Sequence, residues 1–258
     1  MDKLGLQLYT VRGCFKTEEQ ADETLKKLIA MGISKVQLSS EGISVPELKK
    51  ICDKNGLITV GTSYSLDKIL HDTEDTMAYH KALGINDIGI SFLPPPLRES
   101  KEILLNFIDE VNAAAKIYAK HGFKVSYHHH HFEFMRIDGT KTLLDYLIEK
   151  LDPETTRFIL DTCWIAAGGG DVRHYIEKLA GRIDIIHLKD MQFINKDDKF
   201  VATYTEVGNG SLYWDGIIKT AEDAKIPHFI IEQDGNFIEG DPFKSVKAST
   251  DYLKRYMK

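Results

Sequence analysis

Three features of the sequence predict an α/β chain folded as a single-domain (β/α)8 TIM barrel over residues 1–258. The length of 258 residues matches the ~250 typical of that fold. Short apolar runs alternate with amphipathic segments throughout, counting to eight strand–helix units of about 32 residues each, 258 shared among eight. No Gly-x-Gly-x-x-Gly follows the first strand, where a dinucleotide-binding open sheet would carry one.

Leu4–Tyr9 (LGLQLY) reads as the first strand. Thr17-Glu18-Glu19-Gln20 is a capping box, and Ala21, Leu25, Leu28 and Ile29 set an apolar stripe at helical spacing up to Gly32. Lys35–Leu38 is the second strand, and Ser44 caps a helix with Pro46 in its first turn. Leu57–Gly61 is strand three and Thr73–Leu83 its helix. Asp87–Phe92 is strand four, stopped by Pro94-Pro95-Pro96. A long helix over Ser100–His121 places Ile103, Phe107, Ile108, Val111, Ala114, Ala115 and Tyr118 on one side. Phe123–His128, Arg157–Asp161, Ile183–Leu188 and His228–Gln233 read as strands five to eight. The intervening helices are Thr140–Lys150, Asp171–Leu179 (after Gly168-Gly169-Gly170) and Trp214–Ala224. Lys189–Tyr213 is a long polar connection, more a functional loop than a linker. Asp241-Pro242 caps the last helix, with Phe243, Val246, Leu253 and Tyr256 as its buried face.

The net charge of −6 argues against a nucleic-acid partner, because phosphate binding requires clustered Lys and Arg. Cys14, Cys52 and Cys163 are odd in number, widely spaced and without a Cys-x-x-Cys pair, which suits reduced thiols. Met1-Asp2-Lys3-Leu4-Gly5 opens no apolar signal region, and no stretch approaches ~20 apolar residues. The expectation is a cytoplasmic protein with no membrane segment.

In a barrel, chemistry sits at the C-terminal strand ends. Four of the ten histidines run in a row at the end of strand five, His128 to His131. Continued as a strand, they place His128 and His130 on one face, His129 and His131 on the other. Strand six ends at Asp161, strand seven at His187 and strand eight at Glu232. Four consecutive strands thus finish on a residue able to bind a divalent ion such as Mn²⁺, Zn²⁺, Co²⁺ or Mg²⁺, among which the set does not choose. Taken singly, Asp161 could cap a helix, His187 could be a core histidine and Glu232 could be solvated.

Leu160-Asp161-Thr162, His187-Leu188-Lys189-Asp190, Glu206-Val207-Gly208-Asn209-Gly210 and Ile231-Glu232-Gln233-Asp234 resemble the xylose isomerase-like barrel superfamily. That group contains tagatose/psicose 3-epimerases, hydroxypyruvate isomerases and inosose dehydratases. Leu6–Arg12 and Tyr127–His130 are similar to its sugar phosphate isomerase/epimerase branch. No Gly-rich loop beside a Lys or Arg cluster supports phosphate binding. The epimerase members hold their metal with Glu, Asp, His and Glu on strands five to eight. Asp161, His187 and Glu232 match in type and place, whereas His128 stands where the first Glu would be. Symmetric two-base epimerisation is thereby put in question.

The resemblance implies a small-molecule keto sugar or polyol substrate, a metal-stabilised enediolate and Glu232 as base, and leaves room for a homo-oligomer. His130 is the expected proton relay. Lys189 is expected to neutralise oxyanion charge, unless it is a surface lysine paired with Asp190. Gln7, Tyr9 and Arg12 are expected substrate contacts and Trp164 a stacking residue. Glu133 either folds into the site or lies on the surface between Phe132 and Phe134. Gln37 sits where relatives often carry Glu, and Glu206 with its glycines is expected to form a turn. The leading function is an isomerase or epimerase. The alternatives are an inosose-type dehydratase or 3-keto-sugar lyase, and a non-catalytic sugar-binding subunit. Apurinic-site endonuclease activity is disfavoured, because strands two to four end without a His or Glu in ligand position.

Overall fold

In a computed structural model describing residues 4–257, eight strands close into a barrel flanked by helices. The strands are β1 (Leu4–Gln7), β2 (Ile33–Leu38), β3 (Ile58–Ser63), β4 (Asp87–Ile90), β5 (Lys124–His128), β6 (Thr156–Asp161), β7 (Ile183–Leu188) and β10 (His228–Ile231). Between the last two, β8 (Asp190–Lys196) and β9 (Lys199–Thr205) form an antiparallel hairpin. The order around the barrel is β1-β10-β7-β6-β5-β4-β3-β2.

Two compact units can be described separately. In the one formed by Met1–Val60 and Ile185–Lys258, β1 pairs in parallel with β2 and β10, and β10 with β7. Gln7 faces Gln37 and Ile231 faces Leu188, so the functional residues stand at level strand ends. In the unit Gly61–Asp184, β4 pairs with β3 and β5, and β5 with β6, in register Ile90↔Tyr127 and His128↔Ile159. Gly89 is needed there: a Cβ would lie 2.3 Å from the Thr62 carbonyl oxygen.

The helices are α1 (Glu18–Ala30), α2 (Val45–Lys54), α3 (Leu66–His71), α4 (Thr73–Leu83), α5 (Lys101–Lys120), α6 (Leu143–Lys150), α7 (Thr162–Ala167), α8 (Val172–Lys178), α9 (Trp214–Asp223) and α10 (Pro242–Leu253). Side-chain caps fix where they begin. Thr17, Ser44, Ser100, Thr142 and Asp241 each accept a backbone N–H in the first turn, with reciprocal boxes at Ser44/Glu47 and Thr142/Asp145. Such a cap is worth ~1 kcal/mol. Leu104, Phe107, Ile108, Val111, Ala114, Ala115 and Tyr118 form the buried stripe of α5. Leu104 thus takes the place expected of Ile103. In α10 the buried set is Ser245, Val246, Ser249, Thr250 and Leu253, while Phe243 and Tyr256 are half-exposed.

Strict one-to-one alternation is corrected in three places. A six-residue helix, α3, precedes α4, and α7 precedes α8. Both are too short to write a helical period into the sequence. The connection after β7 is folded rather than irregular, through the β8–β9 hairpin. Its turn holds Asp197 and Asp198 at φ of 52° and 59°, the geometry for which Asn-Gly is the stronger signal. Strands one, four and eight end at Gln7, Ile90 and Ile231, short of the expected Tyr9, Phe92 and Gln233. After β1 the chain enters a 3-10 segment over Leu8–Cys14. The reading of Met1-Asp2-Lys3 lies outside the described residues. Among those described, no helix is long and apolar enough to cross a membrane.

Asp190 anchors the hairpin to the turn before α9. Its Oδ1 accepts from the N–H of Met191 (2.8 Å) and Leu212 (3.4 Å). Its Oδ2 accepts from Gly208 N (3.0 Å), Gly210 N (3.1 Å) and Trp214 Nε1 (2.6 Å). A Cβ on Gly210 would stand 2.2 Å from Asp190 Oδ1. Charged hydrogen bonds are worth roughly 1.5–3 kcal/mol, and buried donors left unmade cost more than the mean bond contributes. Asp190→Ala is therefore expected to lower unfolding free energy by about 2–4 kcal/mol in urea titration; a loss below about 0.5 kcal/mol would show that the turn closes without it.

Asp87, at the start of β4, is buried and accepts from Ser126 Oγ at 2.7 Å. Burial pushes its carboxyl up to about 6, against the opposing pull of Ser126 and Lys124. The folded state then holds this proton more tightly than the unfolded chain does. Its contribution to stability is complete below the ordinary carboxylate pKa of 3.8 and is lost as pH rises through about 6. Asp87→Asn is expected to gain stability relative to the parent between pH 4 and 7, by on the order of 1–3 kcal/mol. A pH-independent difference in denaturation midpoints would contradict this.

Candidate metal centre and active site

Two imidazole–carboxylate pairs stand at strand ends. In the unit Gly61–Asp184, β5 ends on His128 and β6 on Asp161. His128 Nδ1 lies 3.0 Å from the Ser91 carbonyl, so it carries the proton and donates. That leaves Nε2 facing Asp161 Oδ2 at 3.7 Å. Asp161 is fully buried, and its other oxygen, Oδ1, accepts from Trp164 N at 3.0 Å to cap α7. The capping role and a ligand role therefore use different oxygens of one carboxylate.

The histidine run does not continue as a strand, which corrects the expected alternation of faces. Pairing stops at His128, and a 3-10 turn spans His131–Phe134. His130 still stands beside His128, at 4.7 Å between ring centroids, because the turn brings it back. His129 instead accepts through Nε2 from the Asp161 N–H at 3.1 Å. Glu133 is neither on the surface nor among the clustered ligand groups. It is wholly buried, accepting from Tyr127 Oη (2.7 Å) and from the His130 N–H (2.8 Å). Burial raises its carboxyl to about 7 despite these bonds. Phe132 stacks on His130 at 5.0 Å, and Trp164 lies 5.3 Å from His130 and 5.0 Å from His131. Trp164 is half-buried within this ring cluster.

The second pair is His187, on β7, with Glu232, the residue after β10. His187 Nε2 lies 2.6 Å from Gln37 Oε1, an arrangement in which the ring donates to the amide oxygen as oriented. Its Nδ1 stands 2.9 Å from Glu232 Oε2. A neutral ring so oriented turns a lone pair toward a carboxylate oxygen at hydrogen-bond distance. A second proton or a cation makes that approach favourable, as does the other tautomer, in which Nδ1 donates to Glu232 and the Gln37 amide is turned over. Lys189 is buried, correcting the surface reading: its Nζ lies 3.2 Å from Glu232 Oε2 and 2.6 Å from Asp234 Oδ2. Its expected partner, Asp190, is occupied by the hairpin turn.

One ligand atom from each of His128, Asp161, His187 and Glu232 lies within 4.8 Å of the others, and all four residues are buried. Two imidazole nitrogens and two carboxylate oxygens make a donor set suited to Zn²⁺, Mn²⁺, Co²⁺ or Mg²⁺. Buried carboxylates are costly without compensating positive charge, so the chemistry of the set fits a divalent cation.

The other expected contacts fall in the unit formed by Met1–Val60 and Ile185–Lys258. Gln7 is buried and its Oε1 accepts from Tyr9 N at 3.2 Å, capping the turn after β1. Tyr9 lies outside the strand on that turn, 38% exposed. Arg12 packs its guanidinium 4.0 Å over the Tyr9 ring and pairs with Glu41 at 3.3 Å. It also donates to the Asp234 carbonyl at 3.3 Å. Glu206 forms the expected turn, accepting from Ser245, Gln233, Thr205 and Asn209. Burial pushes its carboxyl up, but the hydrogen bonds prevail and leave it below the ordinary value. Tyr127 and Asp234 were not singled out from sequence. Tyr127 resembles any inward strand aromatic, and Asp234 gains meaning only from the buried Lys189.

A sequence model of the xylose isomerase-like TIM barrel matches residues 25–256. An inosose dehydratase from Salmonella agona is 33% identical over 111 residues, 42% of this chain; the chain spans 35% of that protein's length. An inosose dehydratase from Geobacillus thermodenitrificans is 23% identical over 239 residues, 80% of this chain and 79% of that protein. A sugar phosphate isomerase/epimerase structure from Parabacteroides distasonis superposes with a TM-score of 0.80 at 21% identity, covering 99% of this chain and 98% of that one. The closed eight-stranded barrel and the family match agree: this chain belongs to the xylose isomerase-like TIM barrel family.

Proposed function

We propose that the protein is a divalent-metal-dependent lyase of keto sugars or keto polyols, acting by inosose-type dehydration. The reaction removes a proton next to the carbonyl and expels a hydroxyl from the neighbouring carbon. The observation that carries this reading is the asymmetry of the site. Glu232 is a buried carboxylate braced by Lys189, whereas the strand-five position opposite it in role is an imidazole, His128. Symmetric epimerisation is best served by two matched bases, and elimination by one base and one acid. The inosose dehydratase relatives support the same choice.

His128, Asp161, His187 and Glu232 would hold a divalent ion, which would supply Lewis-acid stabilisation of the negative charge developing at the carbonyl oxygen. Glu232 accepts the proton from carbon. Lys189, clamped between Glu232 and Asp234, holds that carboxylate and adds positive charge beside it. Gln37 fixes the His187 ring. His130 gives a proton to the departing hydroxyl, and the Glu133 carboxylate holds its backbone N–H. One C–H and one C–O bond break, one C=C bond forms, and water leaves.

A second reading, isomerase or epimerase, is favoured by the closeness of His130 to His128. An imidazole there could return the proton to carbon. Incubation of 2-keto-myo-inositol and 3-keto-glucose in deuterium oxide separates the two. Loss of one water is expected; deuterium incorporation with no loss of water would overturn dehydration in favour of epimerisation. Glu232→Gln is expected to lower kcat by about 10²–10⁴-fold, the usual contribution of a positioned base. A variant that keeps full turnover would remove Glu232 from the chemistry. Chelation is expected to abolish turnover and added Mn²⁺, Co²⁺ or Mg²⁺ to restore it, whereas activity surviving exhaustive chelation would exclude the metal.

A further inference from the structure

The loop of residues 91–99, which follows β4, reaches the candidate site at two points. Near its start the Ser91 carbonyl accepts the Nδ1–H of His128 at 3.0 Å. At its far end the Arg98 guanidinium lies 3.3 Å from the centre of the Phe132 ring. Phe132 in turn stacks on His130, with 5.0 Å between centroids and the planes 7° apart. Two planar groups cannot share one phenyl face at such distances, so guanidinium and imidazole take opposite faces of Phe132.

The sequence explains why an arginine serves here. Pro94-Pro95-Pro96 carries no N–H, so the Leu93 carbonyl meets no donor in the three residues that follow it. The next N–H, that of Leu97, goes to the Pro94 carbonyl at 3.0 Å. Leu93 is fully buried, and a buried carbonyl needs a partner. The 3-10 turn over Pro95–Arg98 brings the Arg98 side chain back to it. Arg98 donates to the Leu93 carbonyl through Nε at 2.7 Å and through Nη2. A planar fork can close the loop on Leu93 and lie flat on Phe132 at once, which a lysine ammonium cannot.

His130 is thereby held by its backbone and by its ring. Glu133 accepts the backbone N–H at 2.8 Å, and the ring meets Phe132 and, at 5.3 Å, Trp164. We propose that Arg98 is a positioning residue for His130. It acts through Phe132, setting the plane in which the imidazole presents its proton to the departing hydroxyl. What His130 does rests on the dehydration proposed above; how its ring is held does not.

Ring orientation can be read without turnover. Long-range proton–nitrogen spectra of histidine-labelled protein in the presence of Zn²⁺ would compare the parent, Arg98→Met and Phe132→Leu, with His130 assigned by its loss in His130→Gln. In the parent the His130 ring protons are expected upfield, shielded by the Phe132 face. Phe132→Leu is expected to remove that shielding, and Arg98→Met to reduce it although the phenyl ring is still present. His80 on α4, whose Nδ1 is held by the Thr76 carbonyl at 2.8 Å, should stay in place. A His130 signal unchanged in Arg98→Met would overturn the proposal. So would a His80 signal that moves with it, since the variant would then be losing its fold at large. Steady-state dehydration of 2-keto-myo-inositol gives the second readout: kcat is expected to fall about tenfold in Arg98→Met with KM nearly unchanged, because misplacement by ~1 Å costs up to ~10²-fold. Full kcat in a variant whose His130 ring has moved would equally overturn the proposal. If His130→Gln dehydrates the probe as the parent does, or the parent leaves it unchanged, the reaction proposed for the site fails, and the ring spectra alone decide the role of Arg98.

Discussion

Buried negative charge is the constraint on which the rest of the site depends. Asp161 and Glu232 are both removed from solvent, and each places an oxygen against an imidazole nitrogen. Desolvating a carboxylate costs several kcal/mol unless positive charge and hydrogen bonds compensate it. Lys189 supplies part of that compensation at Glu232, and the α7 N-terminus part of it at Asp161. The ring proton of His128 is directed away, to the Ser91 carbonyl, and His187 Nε2 pairs with Gln37. What remains is two ring nitrogens and two carboxylate oxygens facing one another, an arrangement a divalent cation satisfies.

The scaffold around this group is arranged to hold orientation. Gln37 sets one ring, the Ser91 carbonyl the other, and buried Glu133 ties Tyr127 to the turn carrying His130. Asp190 secures the hairpin base with five N–H donors. Such outer partners are what fix ligand tautomers and ring planes in metal sites.

Much of this was legible in the sequence. The barrel follows from repeated apolar runs and caps such as Thr17, Ser44 and Asp241. Asp161, His187 and Glu232 stand out because chemistry in this fold gathers where strands end. The departures have physical causes. A period-two reading cannot tell that backbone pairing stops at His128, so it carries the alternation of faces into His129 to His131, where the strand has already ended. Residues 66–71 and 162–167 form helices too short for a periodic stripe. The hairpin escaped notice because Asp197-Asp198 is a weaker turn signal than Asn-Gly and because Phe193 and Phe200 lie among charged residues. Burial of Lys189 is a tertiary fact: nothing local distinguishes it from a surface lysine beside Asp190.

The most direct measurement of the central claim is the metal content of the purified protein. Elemental analysis is predicted to find one divalent ion per chain, retained through gel filtration and lost in both Asp161→Ala and His187→Ala while those variants stay folded by circular dichroism. A folded parent that takes up no divalent ion on reconstitution, or variants that bind it as the parent does, would contradict the account.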